Sequence, residues 1–248
     1  MPHVGSIHYR DIGKGEPPIV HLHGGWGYEF YPLDDALAGI ARRFVIPDRT
    51  GYGRSRPPRR AELPIDFHAM FADETEEFLR AIGIERCVLW GHSDGAIIAL
   101  LLALETPGQV RGVIAEATHF YRRKPRSQAF FESMIAERPA LGDGVTAVLA
   151  RDHGAGWPQV LARHSRAWHS IAREAASDEE DFYGGRLNTI AVPVLVIHGA
   201  CDPRTEPGEI EAIGRAVHTV ILPAGGHSPH SEPATADDVS RLVRAFIA

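Results

Sequence analysis

The chain has little cysteine, no long apolar run and no block of like charge. Cys87 and Cys201 are the only cysteines in 248 residues. Each falls beside an expected strand end, so disulfide stapling is not how this fold is held together. The longest apolar stretch, 96–104, is far shorter than the ~20 residues that cross a bilayer as a helix. Residues 1–10 carry no basic segment followed by an apolar one, so a cytoplasmic location with no membrane partner is expected. Acidic residues number 32 against 26 basic ones, a formal net charge of −6 spread along the whole length. With no basic tail or stripe, nucleic acid is not an expected partner.

What is present reads as one α/β domain. The chain is 44% hydrophobic, enough for a sizeable core. Short β-branched or aliphatic runs alternate with longer helical patterns, the rhythm of a mostly parallel sheet flanked by helices. Strands are expected at 19–22, 44–46, 87–90, 110–115, 194–198 and 217–222. They are apolar throughout, as strands buried on both faces are. Short strands around 4–10 and just before Ile19 are expected to make an antiparallel edge. Helices are expected at 32–41, 70–82, 94–105, 207–215 and 235–247, and the third has so little polar face that it belongs at the centre.

The stretch 118–190 breaks the rhythm, being helical in composition and rich in His, Arg and aromatics. It reads as a helical cap inserted between core segments 1–117 and 191–248, over the strand ends where open α/β sheets bind ligands.

An expected strand runs directly into Gly91-His92-Ser93-Asp94-Gly95, and an expected helix follows. A Gly-x-Ser-x-Gly sequence in that setting lifts a serine hydroxyl out of the sheet on a strained turn, and flanking glycines relieve the crowding. A serine hydroxyl needs a base. His227, on the loop after the last strand, is the favoured base, with His230 its competitor. The base needs an acid to hold its tautomer. Asp202, leaving the strand that ends near His198, is favoured over Glu116 at the end of the preceding strand.

These residues resemble the α/β-hydrolase superfamily over nearly the whole chain outside the cap. The order Ser93, Asp202, His227 matches the family's nucleophile, acid and histidine. His23-Gly24-Gly25-Trp26 looks like its oxyanion loop, and Asp48-Arg49-Thr50-Gly51-Tyr52-Gly53-Arg54-Ser55 like its Asp-x-x-Gly-x-Gly-x-Ser turn. The resemblance implies an oxyanion hole built from the N–H groups of Gly25 and Asp94, with the N–H of Trp26 an alternative to that of Gly25. It implies cleavage of a carboxylic ester of a small-to-medium substrate through an acyl-enzyme, without cofactor or metal. His21 and His23 flank a buried strand end and lack a completing ligand set.

Asp94 departs from the apolar residue more usual after the nucleophile. It either complements the positive end of its helix, or lies near the pocket, disfavouring anionic acyl groups and welcoming an amine. Trp26 and Asp94 are the expected substrate contacts. The basic run 121–126 reads as a solvated surface or a carboxylate site, and Phe130, Phe131, Trp157, Trp168, Phe182 and Tyr183 as cap core or acyl pocket. Carbon–carbon bond hydrolysis or lactone cleavage would use the same triad, although the short His23–Trp26 loop departs from that of the carbon–carbon hydrolases. Epoxide or haloalkane opening usually takes an aspartate nucleophile. A non-catalytic ligand receptor on the same fold would have no need of all three triad residues.

Overall fold

The computed structural model describes residues 3–33, 40–55, 62–135 and 141–248. Among them eight strands form one sheet: β1 (His3–Val4), β2 (Ile7–Ile12), β3 (Ile19–Leu22), β4 (Phe44–Pro47), β5 (Cys87–His92), β6 (Val110–Glu116), β7 (Val194–Gly199) and β8 (His218–Leu222). The helices are α1 (Phe67–Ala81), α2 (Asp94–Glu105), α3 (Gln128–Ile135), α4 (Asp143–His153), α5 (Trp157–Glu174), α6 (Glu209–Ala216) and α7 (Ala236–Ile247). The helix expected at 32–41 falls mostly on 34–39, outside the described residues. None of the described helices is long and apolar enough to cross a membrane.

The strand order is β1-β2-β4-β3-β5-β6-β7-β8. β2 pairs antiparallel with β1 and β4, and every later pairing is parallel. The antiparallel edge therefore comes from residues 3–12 alone. No strand forms just before Ile19, where Gly13, Gly15, Pro17 and Pro18 disfavour a ladder.

Within the continuous apolar runs, successive side chains still sort to opposite faces. Val20, Leu22, Leu89, Val113, Ala115 and Val196 enter one core, shared with α1 and α2. Ile19, Val88, Trp90, Ile114, Leu195 and Ile197 enter the other, where Val239 and Val243, one turn apart on α7, close the layer. β8 differs: only Leu222 is buried, and Ile221 is 40% exposed. An edge strand lacks the second covering that an apolar run alone suggests.

Ten of the twelve residues of α2 are buried, each Leu or Ile stabilising the fold by roughly 1.5–3 kcal/mol. Since β5 lies between β3 and β6, this rigid helix begins at the middle of the sheet's C-terminal edge. Helices α3, α4 and α5 intervene between β6 and β7.

Candidate active site

The turn from β5 into α2 places Ser93 at φ 54°, ψ −119°, outside the regions ordinary residues prefer. Such a conformation costs on the order of 1–3 kcal/mol and needs surroundings that enforce it. The Ser93 N–H donates to the Glu116 carbonyl (2.9 Å), tying the turn to the end of β6. A Cβ on Gly91 would lie 2.1 Å from the Gly95 carbonyl oxygen, and one on Gly95 would lie 1.9 Å from that of Leu22. Only glycine fits at either place.

His227 Nε2 lies 3.1 Å from Ser93 Oγ, and its Nδ1 lies 2.9 Å from Asp202 Oδ2. Asp202 is buried, also accepts the Arg204 N–H (2.8 Å), and has His198 Nε2 at 3.4 Å. Burial alone would raise its carboxyl; His227 and His198 outweigh that and hold it at about 2. The loop bearing His227 is pinned on both sides, because Glu232 accepts the N–H groups of Gly226 (2.6 Å) and Ser228 (2.9 Å). His92 Nε2 donates to the His227 carbonyl (2.8 Å), and burial lowers His92 to about 3, so that ring is neutral.

The two competitors pair with each other. Glu116 Oε1 lies 2.9 Å from His230 Nδ1 and accepts the His230 N–H (2.7 Å), while Trp90 Nε1 donates to Oε2 (3.2 Å). Both residues are fully buried. His230 Nε2 donates to the Tyr31 carbonyl (3.0 Å), which leaves this ring no nitrogen for Ser93.

The loop after β3 is shaped by Arg49, a buried cation whose guanidinium donates to the carbonyls of His23 and Gly24. The His23 ring donates from Nδ1 to the Gly24 carbonyl (2.7 Å) and accepts the Arg49 N–H at Nε2 (3.2 Å), a turn-forming role. The N–H groups of Gly25 and Asp94 donate to no acceptor among the described residues. Asp94 opens α2, so its N–H has no partner within the helix. A Cβ on Gly25 would meet the His164 ring at 2.1 Å and Asp94 Oδ2 at 2.7 Å, so the backbone approaches α5 and the elbow as only glycine can.

The Asp94 carboxylate is spoken for within the protein. Oδ1 accepts His68 Nε2 (3.0 Å) and Trp168 Nε1 (3.0 Å), and Oδ2 accepts His164 Nε2 (2.6 Å). Burial pushes this carboxyl up, but His164 and His68 outweigh it and hold the group well below the usual range. As a correction to the expected substrate contact, the Asp94 side chain does not line the cleft; Trp26 does.

That cleft, about 490 Å³ and partly open to solvent, contains Ser93 and His227. Its walls include Trp26, Tyr31, His119, Phe130, Phe131 and Trp168, with Arg204 beside them. Trp157 instead packs with Met134, Leu149 and Leu161, Phe182 packs on His68 and Trp168, and the Tyr183 hydroxyl donates to the His119 carbonyl (2.8 Å). The basic run is largely consumed by ion pairs: Arg122 with Glu180 (3.1 Å), Arg123 with Asp178 (2.7 Å), and buried Lys124 with Glu209. Sequence reasoning missed Tyr31, His119, His164 and Arg204. A same-face signal exists only for His164 and Trp168, four residues apart on α5. No group of three or more His, Cys, Asp or Glu gathers as a metal-holding set among the described residues.

The fold and this constellation define a class: a mostly parallel sheet whose central strand delivers a serine to a histidine, itself held by a buried carboxylate. The chain belongs to the alpha/beta hydrolase fold family, whose model matches residues 17–190. It is 27% identical over 250 residues to the mouse (Mus musculus) serine hydrolase BPHL, covering 97% of this chain and 82% of that one. It is 34% identical over 230 residues to a 2-hydroxy-6-oxononadienedioate/2-hydroxy-6-oxononatrienedioate hydrolase of Paraburkholderia phymatum, covering 79% and 74%. The structure resembles a meta-cleavage product hydrolase of Pseudomonas fluorescens with TM-score 0.75 at 18% identity, covering 97% and 93%, a likeness of fold alone.

Proposed function

We propose that this protein is a serine hydrolase that cleaves a carboxylic ester, or a related acyl bond, of a small-to-medium substrate. The observation that carries the proposal is the hydrogen-bonded series Ser93–His227–Asp202 in a cleft beside two unclaimed backbone N–H groups. Ser93 Oγ attacks the carbonyl carbon while its proton passes to His227 Nε2. The N–H groups of Gly25 and Asp94 take the oxyanion, each worth roughly 3–4 kcal/mol in the transition state. His227 then gives the proton to the departing alcohol. A water that loses its proton to His227 attacks the acyl-enzyme, and collapse returns Ser93 and the free acid. Asp202 keeps His227 in the tautomer that accepts at Nε2. The chemistry calls for no metal or organic cofactor. Residues 118–190 act as a cap over a core of 1–117 and 191–248, supported by Phe130, Phe131 and Trp168 lining the cleft with Ser93.

The Paraburkholderia relative favours a second reading, hydrolysis of a carbon–carbon bond next to a carbonyl by the same residues. Steady-state turnover of p-nitrophenyl acetate and butyrate, beside a vinylogous diketone acid, separates the two. Ester turnover that falls on the order of 10⁴-fold or more in Ser93→Ala is the expected outcome. Turnover of the diketone acid without turnover of esters would favour the second reading. Ester turnover unchanged in Ser93→Ala would overturn both.

A further inference from the structure

Among the described residues lining the cleft beside Ser93, one is permanently charged. No Asp, Glu or Lys is among those described residues. Burial holds His92 at about 3 and lowers His119 well below its ordinary value, so both rings are neutral at physiological pH. The exception is Arg204, two residues beyond Asp202 on the loop that leaves β7.

The Arg204 guanidinium lies 3.1 Å from the Phe130 ring centroid and 5.9 Å from that of Phe131. These rings cover a face of the planar cation, whereas its N–H fork is what would engage an anion. Among the described residues no carboxylate forms an ion pair with that fork. Asp202, whose negative charge Arg204 feels, is engaged by His227 and by the Arg204 backbone N–H. Burial lowers Arg204 only to about 10, so it stays a cation through the neutral range.

The loop holds this side chain ready. The Arg204 N–H donates to Asp202 Oδ1 (2.8 Å), and the Arg204 carbonyl accepts from Lys124 Nζ (3.4 Å). Lys124 is itself fastened by the buried Glu209. Little backbone ordering remains to be done when a ligand arrives, which favours tight recognition. A cleft walled largely by aromatic rings, with one fixed cation among its described lining residues, is how a pocket fixes the orientation of a small molecule.

We infer that Arg204 is the anion-recognising residue of this cleft and that the substrate carries a carboxylate away from the bond that is cleaved, an assignment that rests on the hydrolase reading above. The carboxylate can sit on the acyl or on the alcohol portion, and two ligand pairs distinguish these. Calorimetric titration of Ser93→Ala protein with monomethyl glutarate against dimethyl glutarate probes the acyl side. The same titration with 4-acetoxybenzoate against its methyl ester probes the alcohol side.

In at least one pair the anionic member is expected to bind ~10-fold tighter or more, the scale of charge-assisted hydrogen bonds. In Ser93→Ala/Arg204→Met the ratio is expected to fall to about one, whereas Arg204→Lys keeps part of it because the charge remains. Near-UV circular dichroism checks that both variants keep the fold, and retention in Arg204→Lys guards against a folding artefact. A ratio near one in both pairs, or a ratio that survives Arg204→Met, would overturn the assignment. Discrimination without ester turnover by the parent protein would remove the ester-cleaving reading and leave the anion site standing. Turnover without discrimination would do the reverse.

Discussion

Asp94 is tied to donors from two separate parts of the chain, His68 of α1 and His164 and Trp168 of α5. One side chain thus joins the nucleophile's helix to the core beneath it and to the helices above it. Its neighbours in sequence suggested either a partner for the helix end or a binder of amines, and neither reading included three protein donors. Those donors lie 26, 70 and 74 residues away, beyond the reach of any local pattern. Asp94→Leu leaves His68 and His164 buried without this acceptor, at ~1–3 kcal/mol each, while Trp168 Nε1 still has His164 Nε2 at 3.0 Å. A destabilisation of about 3 kcal/mol or more, read from the urea midpoint, is expected. Asp94→Asn is expected to lose less, because an amide oxygen still accepts. A loss within ~0.5 kcal/mol for Asp94→Leu, the range of ordinary surface changes, would show that the cluster does not brace the elbow.

At the scale of elements, α4 ends in an acid that resists ionisation. Burial, with the negative charges of Asp48 and Glu29 close by, raises Asp152 from 3.8 to about 7. Between those values the unfolded chain has released this proton and the folded chain has not, so stability falls as pH rises through the interval and levels off above it. Asp152→Asn removes the penalty. Its melting temperature relative to the parent is expected to match near pH 4, rise between pH 4 and 7, and stay level beyond. An equal difference at pH 4 and pH 8 in thermal scans would contradict this. The sequence shows why α2 and the inner strands were legible: their apolar runs are long and bounded by turn residues. It misplaced the start of α1, which begins at Phe67 ahead of the expected 70, since no side chain caps that end to mark it. β8 reads in sequence as doubly covered because an edge and a centre have the same composition when both are aliphatic.

At the scale of the whole molecule, three residues at 93, 202 and 227 converge because each stands just past the C-terminal end of a strand, and parallel strands bring those ends to one edge. That much could be read from strand order and loop position. Of the cleft wall, Trp26, Phe130, Phe131 and Trp168 are legible as candidates, but Tyr31, His119 and Arg204 are not, since they reach it through packing between segments far apart in the chain. The central claim, that Ser93 is a nucleophile activated by His227, is most directly tested by intact-mass spectrometry after exposure to a fluorophosphonate, with peptide mapping of the product. The account requires one adduct per chain on Ser93, none in Ser93→Ala, and labelling slowed on the order of 10³-fold or more in His227→Ala. An unlabelled parent protein, or an adduct that persists in Ser93→Ala, would contradict it.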